Sequence, residues 1–230
     1  MTQSITAAFP ALARLHAVAQ RDSQQRFNNL MHFITEAMLV KAYRALNRKA
    51  AKGVDGEDWR SYGINLTPNL RQLCQRLHAN GYKPQLVKRI WIPKDNGQQR
   101  PIGITCLEDK IVQQALVWVL ETIYENDFLG LSYGFRPKRN QHRALDAVYM
   151  AITVKKVSWV LDADIQGFFD NIDHDWLMKF LEHRVVDPRI LRLIKLTLTA
   201  GVMDQGCKSK TVVGTPQGGI CKALHIPPYE

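Results

Sequence analysis

An apolar run that leads into aspartates constrains the fold of this chain more than any other feature. Residues 157–161, Val-Ser-Trp-Val-Leu, are rich in β-branched and aromatic side chains, which predicts a buried strand. The strand leads into Asp-Ala-Asp, which ends at Asp164. A carboxylate at a strand end suits metal-dependent phosphoryl transfer, because Mg²⁺ prefers oxygen ligands. A strand that ends in aspartate is also common without such a role, and Asp170 and Asp173 equally fit helix caps.

The remaining pattern mixes helices with separated strands. Apolar periodicity and helix start signals predict helices at residues 8–18, 27–49, 67–81, 111–123, 141–154, 175–183 and 188–200. Two β-prone runs, 87–93 and 99–104, flank an Asn-Gly dipeptide and predict a hairpin. Another β-prone stretch covers 210–213. This arrangement indicates an α+β fold, not a doubly wound parallel sheet.

The charge balance favours a polyanionic partner. The chain of 230 residues has 31 Lys and Arg against 21 Asp and Glu, which gives a net charge of +10. Neutralising phosphates releases condensed counterions, so such a protein is suited to nucleic acid. A solvated basic face explains the charge equally well. The four cysteines include no Cys-x-x-Cys pair, and no secretory signal or long apolar run is present, so we expect an intracellular, cytoplasmic protein with reduced thiols.

Two glycine-containing segments are candidates for nucleotide binding. Lys94 and Arg100 flank the tip of the predicted hairpin and are able to bind a triphosphate, Arg through its planar fork. Gln217 lies in Thr-Pro-Gln-Gly-Gly, where paired glycines allow a ligand to approach the backbone. Ordinary solvated hairpin charges and a plain turn remain the alternatives.

A loop that starts at Tyr133 combines aromatic and cationic side chains. This interleaving is typical of segments that contact a nucleic-acid strand. The candidates for this contact are Arg136, Lys138, Arg139 and His142. The alternative is a basic loop anchored by a buried Tyr133 and Phe135.

Taken in order, five strings resemble the reverse transcriptases encoded by group II introns, over about residues 41–220. These strings are Ala-Lys-Gly-Val-Asp-Gly (51–56), Ile-Pro-Lys (92–94) with Arg-Pro-Ile-Gly-Ile (100–104), Tyr-Gly-Phe-Arg-Pro (133–137) with His142, the segment 164–174, and Gly-Thr-Pro-Gln-Gly-Gly (214–219). The resemblance implies RNA-directed DNA synthesis, a nucleotidyl transfer onto a primer 3′-hydroxyl by two metal ions. It also implies an intron-splicing role and the right-hand polymerase fold.

The resemblance assigns a role to each matching position. Asp164 would be the first metal-binding carboxylate, with the Ile165 carbonyl as a further ligand, and the metal would be Mg²⁺ with Mn²⁺ as a substitute. Phe169 would lie under the incoming sugar and exclude a 2′-hydroxyl. The triphosphate would be bound by Lys94 and Arg100, and Gln217 would lie beside the nucleotide.

The resemblance also divides the chain. Residues 1–50 would be a helical N-terminal extension that binds template RNA, and 51–156 the fingers with the first palm helix at about 107–126. Residues 157–220 would be part of the palm, followed by an aberrant tail, 221–230, and the thumb would be absent. The implied partners are an RNA template (intron RNA), a DNA primer and dNTPs, without a membrane; a homodimer is left open.

The sequence departs from the family after Ile220. The family continues with Ser-Pro-Leu-Leu and later Tyr-x-Asp-Asp, and neither string occurs in this chain. We therefore expect a truncated polymerase that is inactive alone, because the second carboxylate pair is missing. The alternatives are a non-catalytic RNA-binding remnant, and a retron, diversity-generating or CRISPR-associated reverse transcriptase.

Overall fold

The computed structural model describes residues 6–93, 97, 99–155, 157–211 and 213–214. The helices with defined bounds are α1 (Pro10–Arg21), α2 (Glu36–Ala45), α3 (Trp59–Ile64), α4 (Leu66–His78), α5 (Leu107–Tyr124), α6 (Gln141–Thr153), α7 (His174–Glu182) and α8 (Pro188–Leu198). Short 3₁₀ turns cover Met31–Phe33 and Phe168–Asp170. Most of the predicted helices are confirmed within a few residues at their ends.

The strands form one small mixed sheet. They are β1 (Val87–Pro93), β2 (Gln99–Ile104), β3 (Val202–Asp204) and β4 (Cys207–Ser209), in the order β2-β1-β3-β4. β1 and β2 pair antiparallel with Ile90 opposite Ile102, which confirms the predicted hairpin. β1 pairs in parallel with β3, Val87 opposite Val202. The sheet therefore joins the middle of the sequence to a segment about a hundred residues later.

The hairpin of β3 and β4 was not predicted from the sequence. Its two turn residues, Gln205 and Gly206, have φ angles of 46° and 87°, the left-handed pair that a type I′ turn requires. The predicted strand at 210–213 is wrong for its described residues. Lys210 and Thr211 follow β4 without strand structure, and Val213 lies in a bend.

Helix α5 is the centre of the core. Its buried side chains face several directions, and they include Ile111, Val112, Leu116, Val119, Leu120 and Ile123. Helices α1 and α2 pack against it. Because one cluster of buried side chains joins residues from Leu12 to Leu198, the core crosses residue 50 without interruption. The predicted division into extension, fingers and palm stays a prediction.

The predicted helix at 27–49 is shorter in the structure. Asn29 has a φ of 54°, a left-handed conformation that ends any helix, and Phe27 instead forms a parallel bridge with Val185. Helix α2 begins after Thr35, whose hydroxyl accepts a hydrogen bond from the Met38 amide at 3.2 Å. The apolar periodicity came from core side chains on two separate elements.

Among the described residues, no helix has both the length and the apolar character needed to cross a membrane.

Candidate active site and nucleic-acid surface

The segment before Asp164 is not a buried strand, and that prediction is wrong. Trp159 and Leu161 are 91% and 92% exposed, and the segment does not pair with any described strand. A strand needs a neighbour that satisfies its backbone N–H and C=O groups, and β1 to β4 do not supply one here. The apolar side chains of this segment therefore face solvent.

Helix α6, which precedes this segment, is also uncovered. None of its described side chains is buried. Apolar residues recur at helical spacing on one of its faces, and they are Leu145, Val148, Tyr149 and Ile152, all exposed. The Val157 amide donates to the Ala151 carbonyl at 3.2 Å, so the helix and the segment are joined. We call α6 and residues 157–161 together the open apolar surface. Patches of this kind mark sites where another surface packs.

Asp164 lies at the exposed start of a tight loop. Gly167 has a φ of 62°, and its carbonyl accepts a hydrogen bond from Asn171 Nδ2 at 2.9 Å. The rings of Phe168 and Phe169 then meet edge to face with centroids 5.3 Å apart. Phe169 packs against the core, whereas Phe168 is half exposed. The loop therefore fixes Phe169 and leaves the Asp164 carboxylate accessible.

The next motif docks against this loop through Gly214. The Gly214 amide donates to the Ile172 carbonyl at 2.9 Å, and the Gly214 carbonyl is 2.7 Å from His174 Nε2. A Cβ on Gly214 would lie 2.5 Å from the Asp170 carbonyl, and its φ is 76°, so both space and conformation require glycine. Two motifs that are forty residues apart in sequence are thus in direct contact. Residues 215–219, with Gln217, lie outside the described residues.

The described residues alone do not form a complete site for two metal ions. Asp164 and Ile165 are exposed, and their role as metal ligands stays a prediction. Asp173 is a helix cap, since its carboxylate accepts from the Asp175 and Trp176 amides at 2.9 Å each. No group of three or more His, Cys, Asp or Glu side chains among the described residues is arranged to hold a metal. Because Mg²⁺ takes about six oxygen ligands, Asp164 and the Ile165 carbonyl would supply only part of its coordination shell.

The hairpin presents Arg100 to solvent. Arg100 lies on β2 opposite Ile92, and no described carboxylate forms an ion pair with it. Its guanidinium is therefore available for an anion such as a triphosphate. Lys94 lies outside the described residues.

Arg136 is a structural residue, which corrects its prediction as a nucleic-acid contact. Its side chain is 6% exposed and pairs with Glu125, with Nη2 2.9 Å from Oε1. Nη1 donates to the carbonyls of Leu129 and Ser132 at 2.8 and 2.9 Å. The guanidinium also lies 4.8 Å from the centroid of the Phe128 ring. With its donors used inside the protein, Arg136 is not available to a phosphate.

The other three cations of this loop lie nearer the surface. Lys138 and His142 are exposed, and Arg139 is half-buried with Nη1 2.6 Å from the Gly130 carbonyl. Arg139 also lies 5.1 Å from the centroid of the Tyr133 ring. Phe135 is more than half exposed, so the alternative of a buried Phe135 anchor is wrong as well. The loop is anchored by Arg136, and it presents Lys138 and His142.

Sequence reasoning missed a buried acid that positions the hairpin. Asp109, in the first turn of α5, accepts hydrogen bonds from the Tyr82 hydroxyl and from the Gln85 amide, the latter at 3.1 Å. Gln85 lies just before β1, so Asp109 fixes the start of the strand that leads to Arg100. Burial raises the pKa of Asp109 to about 6. An acid in the first turn of a helix looks ordinary in sequence, so no local signal identified it.

A sequence model of the reverse transcriptase family (RNA-dependent DNA polymerase) matches residues 92–223. The chain belongs to the reverse transcriptase family. The match begins near the end of β1 and includes β2, α5, the Asp164 loop and Gly214.

Relatives of this reverse transcriptase include group II intron proteins. The protein YkfC of Escherichia coli (strain K12) is 37% identical over 218 residues, which cover 92% of this chain and 57% of YkfC. The group II intron-encoded protein LtrA of Lactococcus lactis subsp. cremoris is 38% identical over 156 residues, which cover 67% of this chain and 26% of LtrA. A reverse transcriptase of group II intron type is thus confirmed. The chain spans only part of these relatives' lengths.

Solved structures show the same fold. The partial Cas6-RT-Cas1–Cas2 complex matches with a TM-score of 0.53 and 17% identity, over 86% of this reverse transcriptase and 33% of that chain. The predicted α+β fold, with reverse transcriptase fingers and part of the palm, is therefore confirmed.

Proposed function

We propose that this chain supplies the fingers and part of the palm of an RNA-directed DNA polymerase of group II intron type. The reaction would extend a DNA primer on an RNA template, with the primer 3′-oxygen attacking the α-phosphate of a dNTP and pyrophosphate leaving. The contact between Gly214 and the Asp164–His174 loop carries this proposal, because it joins the motif that contains the exposed Asp164 to the motif that contains Gln217. Mg²⁺ is the proposed cofactor, with Mn²⁺ as a substitute, and Asp164 and the Ile165 carbonyl are proposed ligands.

The exposed hairpin and the fixed phenylalanine have proposed roles in nucleotide binding. Arg100 would bind the triphosphate, together with Lys94, because its guanidinium is solvent-facing and not engaged by a described carboxylate. Phe169 would lie under the sugar, since its packing against the core fixes the ring. Gln217 would follow the docked Gly214 and lie beside the nucleotide.

Hydrogen exchange tests this arrangement without requiring turnover. We expect an RNA template with an annealed DNA primer and a matching dNTP to slow amide exchange in the Asp164–His174 loop and in β2. The Asp164→Ala variant should lose the protection that the dNTP adds, while α1 stays unchanged as an internal control. Equal exchange with and without the nucleic acid and dNTP would contradict the proposal.

We further propose that the isolated 230-residue chain does not polymerise DNA. The described residues offer Asp164 without a group of metal-binding side chains around it, and the open apolar surface is uncovered. Primer extension by the purified chain should not exceed that of Asp164→Ala. DNA synthesis that disappears in Asp164→Ala would overturn this part of the proposal.

A second candidate is a non-catalytic RNA-binding protein that holds intron RNA, in the manner of a maturase. The net charge of +10 and the exposed Lys138 and His142 favour it. Specific RNA binding that survives at about 0.2 M salt would support this function, and binding lost at that salt would exclude it. Either function would place the protein in the cytoplasm. A CRISPR-associated role has less support, because that likeness is 17% in sequence and the group II intron relative LtrA is 38% identical.

A further inference from the structure

A basic pocket lies in the N-terminal part of the chain, outside the segment matched by the family. It has a volume of about 560 Å³ and is formed where α2 ends and where α3 meets the start of α4. Its lining residues are Tyr43, Arg44, Arg48, Trp59, Arg60, Gly63, Ile64 and Leu66. Three of these residues lie in the predicted N-terminal extension (1–50) and five lie beyond it. None belongs to the motifs found in the sequence, so the pocket itself has no assigned ligand.

The wall of this pocket is fixed by two aromatic residues. The rings of Tyr43 and Trp59 stack with centroids 4.6 Å apart and an interplanar angle of 10°. The Tyr43 hydroxyl donates to the Trp59 carbonyl at 2.6 Å, and Trp59 Nε1 donates to the Tyr43 carbonyl at 3.0 Å. A Cβ on Gly63 would collide with the Tyr43 hydroxyl, so the close approach of α3 requires glycine. The wall is therefore formed in advance of any ligand.

Three arginines give the pocket its charge. Arg44, Arg48 and Arg60 are exposed, and no described carboxylate forms an ion pair with any of them. The nearby Asp58 carboxylate is engaged elsewhere: it pairs with Lys52 at 2.9 Å and caps α3. Arg48 lies 4.8 Å from the centroid of the Trp59 ring, which orients its guanidinium. The pocket thus concentrates positive charge that has no partner within the described residues.

This chemistry selects a phosphate. Planar guanidinium groups match phosphate oxygens with paired hydrogen bonds. Tyr43 and Arg48 already cover the Trp59 ring, so Trp59 is a support for Arg48 more than a platform for a base. Ile64, which is 80% exposed, gives the pocket an apolar edge suited to a sugar or base beside the phosphate. We propose that this pocket binds a backbone phosphate of single-stranded RNA, an inference that rests on the proposed RNA partner.

Paired variants of the full chain test the pocket. In the double variant Arg44→Gln with Arg60→Gln, the affinity for a single-stranded oligoribonucleotide of about ten nucleotides should fall about tenfold or more. The slope of log K against the logarithm of the salt concentration should become shallower by about one. These two side chains are exposed and make no described contact that holds the fold, and circular dichroism verifies folding. Arg71→Gln with Arg192→Gln removes the same charge from exposed positions outside both residues 1–50 and the pocket, and should lose much less affinity.

Trp59 gives a local readout. RNA that engages Arg48 should change the tryptophan fluorescence of the wild-type chain, and this change should be smaller in Trp59→Phe, which retains a ring at the stack. Trp91, Trp159 and Trp176 are also exposed, so a smaller signal from them remains. Equal loss of affinity in both arginine pairs, or a fluorescence change of undiminished size in Trp59→Phe, would contradict RNA binding at this pocket. Saturation by inorganic phosphate at concentrations at which RNA does not bind would assign the pocket to free phosphate instead. A wild-type chain without any RNA affinity would contradict the proposed function itself, so the two failures are distinguishable.

Discussion

Arg184 and Asp127 form a buried ion pair that ties three parts of the chain together. Nη1 of Arg184 is 2.6 Å from Oδ1 of Asp127, and the two side chains are 2% and 8% exposed. The same guanidinium donates to the carbonyls of Asp22 and Ser23, between α1 and the Phe27 bridge. Asp127 follows α5, and Arg184 follows α7. The N-terminal segment is therefore locked onto the elements that carry the polymerase motifs.

Removing one member of this pair should be costly. Arg184→Met leaves Asp127 charged in a site where burial raises its pKa, so the free energy of unfolding should fall by about 3–5 kcal/mol. Urea denaturation measures the change. Arg192→Gln on the exposed side of α8 is the control and should change stability by about 0.5 kcal/mol or less.

The double variant Arg184→Met with Asp127→Leu separates charge from packing. Without an orphaned charge it should be less destabilised than the sum of the single variants. If the free energy of unfolding of Arg184→Met falls by less than about 1 kcal/mol, the Arg184–Asp127 pair does not hold the N-terminal segment in place.

The buried Asp109 should make stability depend on pH. Its pKa is about 6 in the folded chain against 3.8 as its ordinary value, because burial, with smaller contributions from Glu108 and Asp55, disfavours the carboxylate. The hydrogen bonds from Tyr82 and Gln85 act in the opposite direction. The folded state thus binds the Asp109 proton more tightly than the unfolded state does. The contribution of protonated Asp109 to the free energy of unfolding is therefore complete below about pH 4 and is lost as pH rises through about 6.

Comparison with Asp109→Asn isolates this effect. The stability of the wild type relative to the variant should decrease by roughly 2–3 kcal/mol between pH 4 and pH 7, since the other carboxyl groups titrate in both proteins. Thermal denaturation across that range is the measurement. A constant difference at all pH values would show that Asp109 does not titrate there.

The sequence predicts those parts of the structure that are determined by residues close together in the chain. The hairpin and α5 are predicted because turn chemistry and helical periodicity reside within each segment. The strand at 157–161 fails because a strand exists only with a partner. Arg136 was misassigned because its burial depends on Glu125, eleven residues away. The hairpin of β3 and β4 was missed because three-residue strands carry too short a pattern.

Arg136 should stabilise the fold through the paired hydrogen bonds of its guanidinium group. Arg136→Lys cannot reproduce both bonds to Glu125 and the two carbonyl contacts, so it should destabilise the chain by about 1.5–3 kcal/mol. The same change at the exposed Arg143 is a matched control and should have little effect. Equal unfolding midpoints for the two variants would return Arg136 to the group of surface cations.

The open apolar surface should limit solubility, not stability. Leu145→Gln with Tyr149→Gln should reduce self-association in light scattering and leave the unfolding midpoint unchanged, because both side chains are exposed. Leu116→Ala in the core of α5 provides the contrast and should cost about 2–5 kcal/mol. If the double variant Leu145→Gln with Tyr149→Gln loses as much stability as Leu116→Ala does, these two side chains are buried in solution and the surface is not open.

The central prediction is that the Asp164 carboxylate is required for RNA-templated DNA synthesis. Residues 1–220 are fused to the part of LtrA that follows its matched segment, and dNTP incorporation is measured on an RNA template with a DNA primer. We predict that the fusion is active and that Asp164→Ala lowers its rate by about 10²-fold or more, while Asp175→Ala does not. An Asp164→Ala fusion that keeps its rate, or a fusion that is inactive where LtrA itself is active, would contradict the assignment.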